Sequence, residues 1–374
     1  MKNGKRITLS IVTGVLLFFL VTPAAFAQVD NVGRILQASR EDANILVSEY
    51  LKPFGSGFGA SINTGWTNTA QTHKKFGFDI TINTGLAVVP GSDKTFDVTQ
   101  IGLQQLELES GPSTVQTING SDDVQTTSLA AYETINGQRT KLFEFDMPTG
   151  TGFGYVPAPE IKAGLGLIKD TEIMVRYVPE VSIDEYGTFQ QFGFGAKHGI
   201  NQWLPGGNLL PVDISLMAGY TNLNVTSDFS ITAEDVITDP NNTENPYAGQ
   251  PSTWEGQKVD IDTDAFTINA LVGKTLPVLS VYGGIGFETS TVSISTPGTY
   301  PTIVPNPDFQ NDPQNEEPLI VDTIEQPIDI ELEGGNSFHA LAGFRIKLAV
   351  FHISASYTLS NYSTMNAGFG FTFR

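Results

Sequence analysis

The chain has 374 residues, of which 40 are acidic and 20 are basic, so its formal net charge is −20, and it contains no cysteine. The missing cysteines exclude disulfide bonds, zinc–thiolate sites and cysteine nucleophiles. The strong negative charge makes nucleic acid a poor partner.

The first 27 residues have the pattern of a secretory signal peptide. Three basic residues precede an apolar run at 11–21, and an Ala-Phe-Ala sequence ends at Ala27. Cleavage is expected before Gln28. A retained membrane helix is the weaker alternative, because the apolar run is much shorter than the ~20 residues that a spanning helix needs.

Residues 28–53 predict an amphipathic helix. Apolar side chains recur three or four positions apart from Val32 to Leu51, and Pro53 would end the helix. The segment is too short and too charged to cross a membrane. Two placements stay open: the helix lies on the periplasmic side against the rim of the domain that follows, or it is a plug inside that domain.

Residues 54–374 predict an all-β domain. The last strand shows the pattern best, because Phe369, Phe371 and Phe373 alternate with small or polar residues. A strand with one apolar and one polar face suits a barrel wall between lipid and a wet lumen. We therefore predict an antiparallel transmembrane β-barrel of about twelve strands, at 57–66, 76–88, 96–108, 160–168, 172–178, 189–198, 211–221, 264–275, 278–289, 337–348, 351–360 and 364–373.

Fourteen strands is the alternative, because 113–118 and 139–146 could form one more hairpin. The connections alternate between short ones and long acidic ones near 109–159, 222–263 and 290–336. Short periplasmic turns and long outer loops are typical of such barrels, and an even strand count places both termini in the periplasm. The acidic loops could attract Ca²⁺, but they lack the regular spacing of a calcium-binding loop, so we expect solvated loops and no metal.

The charged side chains of the predicted strands fall mainly at the positions that face the lumen. The predicted lumen-facing residues are Lys162, Arg176, Lys197, Glu288, His339, Arg345 and Lys347, accompanied by acidic residues such as Asp79, Glu160 and Glu172. Such a set could fill a narrow barrel with charge pairs, or it could orient a small solute. His352 and Ser354 share a face of one strand, but a base and a nucleophile two residues apart are too distant to cooperate. We expect no catalytic residue and no cofactor.

A family resemblance lies near the two ends of the chain. Residues 63–70 read NTGWTNTA, with YLKP at 50–53 before them and HKK at 73–75 and GFD at 77–79 after them, and an aromatic strand ends the sequence. This pattern resembles an uncharacterised family of outer-membrane proteins common in Bacteroidetes-type bacteria. The resemblance implies a β-barrel and supplies no substrate. A looser similarity is to the long-chain fatty acid transporter family, which pairs an N-terminal plug with a fourteen-stranded barrel.

The sequence thus predicts a non-enzymatic barrel in the outer membrane of a Gram-negative bacterium. Its expected role is passive or gated passage of a small or amphipathic solute. The alternative is a barrel that transports nothing and presents its loops for adhesion or scaffolding. The expected partners are outer-membrane lipid and, by resemblance to other barrels, the barrel assembly machinery, which would read Phe369, Phe371 and Phe373.

Overall fold

The computed structural model describes residues 35, 39–135, 137–183, 187–228, 230–237, 239–309, 316–334 and 337–373. The predicted signal peptide, its cleavage site and the first part of the predicted N-terminal helix lie outside the described residues.

Ten antiparallel strands form a closed barrel. Each strand pairs with its neighbours along the chain, and the first and last strands pair from Phe78–Phe373 to Ala87–Thr364, which closes the ring. A further strand, Asp329–Glu333, pairs with the C-terminal part of the seventh barrel strand. The barrel strands are β1 (Phe78–Val88), β2 (Tyr155–Gly166), β3 (Thr171–Ile183), β4 (Gly187–Gly199), β5 (Asp213–Asp228), β6 (Lys258–Thr275), β7 (Leu279–Ser295), β8 (Ser337–Leu348), β9 (Phe351–Leu359) and β10 (Thr364–Phe373).

The wall is apolar outside and polar inside. On β1, Ile80 and Ile82 are exposed, whereas Asp79, Thr81 and Asn83 are buried. This is the reverse of a soluble barrel and matches a barrel whose outer face meets lipid. The exposed apolar belt also includes Val175, Phe194, Leu216, Ile268, Val281, Ile285, Phe338, Phe344, Ile353 and Phe369.

The predicted count of twelve strands was wrong, and so was the alternative of fourteen. Ten of the twelve predicted segments form the barrel, but 57–66 and 96–108 do not. The first of these two belongs to a helix and to an extended segment inside the barrel. The second lies in the connection between β1 and β2, where only its ends are short strands.

The long helix α1 spans Arg40–Ile62. It begins at Ser39, whose Oγ accepts a hydrogen bond from the backbone nitrogen of Asp42 at 3.3 Å. The predicted helix at 28–53 was correct in type, but its end was wrong, because α1 continues through Pro53. A proline inside a helix costs about 3 kcal/mol, so tertiary packing must offset it. None of the described helices has the length and apolar character needed to cross a membrane.

Glycines in the second half of α1 explain the incorrect strand prediction at 57–66. A Cβ on Gly57 would lie 2.7 Å from Val156 Cγ2, and one on Gly59 would lie 1.8 Å from Ser290 Oγ. Alternation of glycine with larger residues mimics a strand. Here it allows a helix to fit within the mouth of the barrel.

The N-terminal part of the chain passes through the barrel from one end to the other. The Oγ of Ser61 donates to the carbonyl oxygen of Val156 and accepts from the nitrogen of Ala87, at the long-loop end of β2 and β1. At the short-turn end, the nitrogen of Phe76 donates to the carbonyl oxygen of Gly166. The helix therefore lies at the long-loop end, and residues 63–77 cross the lumen before β1 begins. Of the two placements left open for the helix, a position against the rim on the short-turn side does not agree with these contacts.

The described parts of the three long connections fold together into a cap, which comprises residues 89–135, 137–154, 230–237, 239–257, 296–309 and 316–334. Its core includes Leu129, Phe145 and Tyr300, and Leu46 and Val47 of α1 pack into it. A hydrophobic core within these acidic loops was not predicted from the sequence. The strands and short helices of the cap are Thr95–Asp97, Leu106–Ser110, Thr114–Gln116, Ser128–Ile135, Gln138–Asp146, α2 (Ala233–Val236), Thr243–Glu244, Pro251–Trp254, Thr299–Pro305 and Leu319–Glu325.

Candidate functional site: the occupied lumen

The lumen holds residues 63–77, here called the luminal segment. Its first ten residues, NTGWTNTAQT, carry no charge. Among the described strands, none pairs with this segment. Its backbone carbonyl groups therefore need donors from the barrel wall, because a buried carbonyl without a hydrogen bond is costly.

Cationic side chains of the wall provide many of these donors. Arg176 donates through Nη1 to the carbonyl oxygen of Ile62 at 2.6 Å and through Nη2 to that of Thr64. Lys162 Nζ donates to the carbonyl oxygen of Trp66 at 2.9 Å. Further donations reach the segment from Asn83 Nδ2 to Gly65 O at 3.3 Å, Tyr282 OH to Thr67 O at 3.1 Å and Lys197 Nζ to Thr69 O at 3.3 Å.

The same cations are also paired with acidic residues of the wall. Arg176 Nη1 lies 2.6 Å from Glu160 Oε1. Lys197 Nζ lies 3.1 Å from Glu172 Oε2, and Lys162 Nζ lies 3.7 Å from Asp79 Oδ2. Each pair joins two neighbouring strands among β1 to β4. These three wall cations thus have their counter-charges within the wall, and residues 63–72 of the luminal segment add only dipoles.

Trp66 fits a notch in the wall made by two glycines. A Cβ on Gly219 would lie 2.5 Å from Trp66 Cε2, and one on Gly195 would lie 2.9 Å from Trp66 Cζ3. The Trp66 ring also stacks on Arg176, whose guanidinium carbon lies 3.8 Å from the ring centroid. Met174 and Met217 complete the buried cluster around the ring. The notch holds the largest side chain of the segment in a defined place.

The opposite wall contacts the segment through polar side chains. Arg345 Nη1 donates to Asn68 Oδ1 at 3.2 Å, and Asn68 Nδ2 lies 3.3 Å from His352 Nε2. His339 Nε2 lies 2.6 Å from Asn269 Oδ1, while its Nδ1 lies 3.5 Å from Glu288 Oε2. These side chains are buried.

His73 fixes the lower end of the segment. Its backbone nitrogen donates to Glu172 Oε2 at 3.1 Å, and its Nε2 lies 3.1 Å from Asp79 Oδ1. Ligand atoms of these three residues lie within 4.8 Å of one another. The two carboxylates already pair with Lys197 and Lys162, and two ammonium groups beside the site oppose a divalent cation. The cluster is best described as an ion-pair network.

Six of the seven predicted lumen-facing residues lie buried in the barrel interior: Lys162, Arg176, Lys197, Glu288, His339 and Arg345. The first three meet around the luminal segment, and Glu288 with His339 forms a separate pair. Lys347 is only half-buried, opposite His352 in the register of β8 and β9. Sequence reasoning missed Trp66 and Tyr282. Trp66 was instead placed at the end of the predicted strand 57–66, and the signal against that strand was the uncharged run NTGWTNTAQT around it.

Two cavities beside the segment are very small. One of 20 Å³ lies between Trp66, Glu288 and His339, and one of 10 Å³ lies near Asn63 and Tyr362. Each has room for about one water molecule. The luminal segment and the wall side chains therefore fill the lumen in this conformation.

The cap anchors the upper end of α1. Both carboxylate oxygens of Asp42 accept hydrogen bonds from consecutive backbone nitrogens of Gln104, Gln105 and Leu106, at 2.7, 2.8 and 2.9 Å. Tyr50 OH donates to the carbonyl oxygen of Thr149 at 2.9 Å. Burial raises the pKa of Tyr50 well above its usual value, so this hydroxyl stays a donor.

The predicted assembly residues lie on β10 beside β1 and β9. The Phe371 ring is 5.9 Å from that of Phe78 and 6.1 Å from that of Phe351. Phe373 lies 5.9 Å from Phe78, and Phe369 stacks on Phe351 at 6.1 Å. The three phenylalanines thus lie at the seam where the barrel closes.

A family model described as a family of unknown function, DUF6588, matches residues 1–373. The chain belongs to the DUF6588 family. The predicted membership of a family without known function is thereby supported, whereas the Bacteroidetes origin and the similarity to long-chain fatty acid transporters are not. No curated protein matches this DUF6588 chain significantly.

Among solved structures, the DUF6588 protein is similar to several outer-membrane barrels. The translocator domain of the autotransporter NalP from Neisseria meningitidis has 9% identity and a TM-score of 0.29, over 81% of this chain and 90% of that one. The transport unit of the autotransporter AIDA-I from Escherichia coli has 9% identity and a TM-score of 0.23, over 90% and 100%. The CymD monoaromatic hydrocarbon channel has 10% identity and a TM-score of 0.22, over 86% and 96%. Such low scores carry no argument, and the barrel assignment rests on the strand pairing.

Proposed function

We propose that this protein is an outer-membrane channel of a Gram-negative bacterium, closed by its own luminal segment and opened when that segment leaves. The exposed apolar belt would meet outer-membrane lipid, and short turns would lie in the periplasm with the cap outside. The barrel assembly machinery would insert it. The proposal assigns the protein no catalytic step and no cofactor.

The observation that carries the proposal is that the wall is complete without the segment. Its hydrogen-bond ladder closes between β1 and β10, so the barrel needs no helix to satisfy its backbone. Arg176, Lys197 and Lys162 have acidic partners on neighbouring strands. Loss of the segment would therefore leave charge pairs in water and not isolated charges in a dry interior. Residues 63–72 of the segment carry no charge and meet the wall through dipoles, so this part of the segment is suited to removal.

A second candidate function is a scaffold, and the cap favours it. Its core contains Leu129, Phe145 and Tyr300 and includes part of α1, so the cap is a folded unit that could present a binding surface. In that case the luminal segment would stay in the lumen permanently and the barrel would conduct nothing. Conductance separates the two candidates.

The test is the conductance of the purified full-length protein carrying Gly219→Val. A Cβ at this position would lie 2.5 Å from the Trp66 ring, so the larger side chain should expel Trp66 from its notch. We expect the mean current in planar bilayers to rise at least tenfold over wild type. Gly91→Val is the control, because nothing lies within 4 Å of a Cβ at Gly91. A heat-modifiable Gly219→Val barrel that conducts no more than wild type would favour the scaffold.

A further inference from the structure

We propose that the opened lumen takes a single uncharged peptide chain that carries a glycine–aromatic pair among otherwise small side chains, and that the luminal segment now occupies the place of this peptide. This inference rests on the proposed channel function and names its substrate class. It follows from the way in which the wall holds the segment that now occupies it.

The wall recognises the main chain. Carbonyl oxygens at positions 62, 64, 65, 66, 67 and 69 each accept a hydrogen bond from a wall side chain. The donors Arg176, Lys162 and Lys197 are charged, and hydrogen bonds from charged donors are stronger than neutral ones. Every peptide carries these carbonyl groups, so the recognition is largely independent of sequence.

The wall recognises the side chain of the segment at only a few positions. Trp66 occupies the notch at Gly195 and Gly219, which provides one subsite for a flat aromatic ring over the Arg176 guanidinium. Gly65 has a φ of +74°, and a Cβ there would meet Glu160 Oε2 at 2.8 Å. A peptide in this lumen therefore needs a glycine just before its aromatic residue, or it must shift locally.

Charge on the peptide would be unfavourable. Three of the four buried wall cations that contact the segment have acidic partners, in the nearly fully buried pairs Arg176–Glu160, Lys197–Glu172 and Lys162–Asp79. The fourth, Arg345, donates to Asn68. An acidic or basic side chain in the ligand would compete with one partner of a pair and leave the other without its counter-charge. The uncharged run at 63–72 fits this requirement.

The free volume beside the luminal segment supports the same class of ligand. With the segment in place, the cavities beside it measure only 20 and 10 Å³. One non-helical chain, together with the wall side chains around it, thus leaves little free space beside Trp66 and Asn63. A ligand that takes the place of the segment is therefore a single chain of similar cross-section.

The experiment adds a synthetic peptide of the uncharged residues 61–72 to a full-length Trp66→Ala channel, in which the segment loses its anchoring ring and the notch at Gly195 and Gly219 stays free. We expect a saturable block of the current, and a block of similar affinity, within about threefold, by a peptide in which the residues other than Gly65 and Trp66 are shuffled. Maltotetraose, a thin chain without amide carbonyl groups, should need at least a hundredfold higher concentration. Adding the charge-neutral pair Glu160→Gln and Arg176→Gln should weaken the peptide block at least tenfold.

Equal block by maltotetraose, or a peptide affinity that the Glu160→Gln and Arg176→Gln pair leaves unchanged, would overturn the peptide assignment while the channel function stood. If the Trp66→Ala protein carries no current, fluorescence polarisation of the labelled peptide on the same protein decides. Binding that is saturable and sensitive to the Gln pair would retain peptide recognition and remove passage. No binding would overturn the peptide assignment as well.

Discussion

The guanidinium group of Arg176 lies against the indole ring of Trp66, with 3.8 Å between the guanidinium carbon and the ring centroid. The same guanidinium pairs with Glu160 at 2.6 Å. One wall residue therefore connects the buried charge pairs of the barrel to the segment that closes it. These two roles can be separated by mutation.

Arg176→Gln should destabilise the barrel strongly. It leaves the buried Glu160 without its counter-charge, a change that typically costs about 3–5 kcal/mol. We expect a clear fall in the temperature at which the folded band converts to the unfolded one in heat-modifiability gels. The double variant Glu160→Gln, Arg176→Gln is the matched control and should recover most of the loss. A double variant no more stable than the single one would show that the charge pair is not the cause.

Locking α1 to the sheet should keep the channel closed. A Cβ on Gly55 would lie 3.2 Å from Leu332 Cβ, close to the ~3.5–4.5 Å separation of a disulfide. In the Gly219→Val background, Gly55→Cys with Leu332→Cys should suppress the current under oxidising conditions, and a reductant should restore it. Gly55→Cys alone serves as the control and should not respond to reductant. A current that persists with the disulfide formed would show that the channel opens without movement of α1.

Asp42→Asn should loosen the cap. The charged carboxylate accepts three backbone hydrogen bonds, and hydrogen bonds to charged groups contribute about 1.5–3 kcal/mol each. We expect faster protease cleavage within 89–154 in the purified protein. Its exposed neighbour provides the control, since Glu41→Gln should leave the cleavage rate unchanged. Equal cleavage of all three proteins would mean that Asp42 does not hold this loop.

The barrel wall was largely predictable and its contents were not. Strict period-two alternation, as in β8 and β10, predicted the strands and which of their faces points outward. This works because lipid and lumen impose opposite polarity on the two faces. The segment 57–66 also alternates, yet it enters a helix and the lumen, since glycines at 57 and 59 meet the wall. The alternation of residue types does not say what surrounds each residue. It therefore could not distinguish a strand of the barrel wall from the glycine-rich end of α1.

The candidate site was foreseen only in part for the same reason. Inward phase placed Lys162, Arg176 and Lys197 in the interior from the sequence alone. Their acceptors are backbone carbonyl groups of an unpaired segment, such as that of Trp66, and carbonyl groups leave no trace in a sequence. The direction in which the chain crosses the lumen depends on tertiary contacts of Ser61 with β1 and β2, which local pattern does not encode.

The closing seam should be essential for assembly. Replacing Phe371 and Phe373 with serine removes the rings that pack on Phe78, and we expect no heat-modifiable barrel in the outer membrane. Phe338→Ser is the matched control, because Phe338 is 85% exposed on the lipid-facing side but lies on β8, away from the seam. Normal assembly of the Phe371→Ser, Phe373→Ser protein would refute a role for the terminal strand.

The central claim is that the N-terminal segment crosses the lumen from the cap to the short-turn end, and two cysteines test it directly. The chain has no cysteine, and Glu41 and Lys75 are both exposed at opposite ends of the crossing. A membrane-impermeant maleimide applied to intact cells should label Glu41→Cys. It should reach Lys75→Cys only after the outer membrane is permeabilised. Labelling of both cysteines in intact cells, or protection of both until permeabilisation, would place them on one side of the membrane and contradict the crossing.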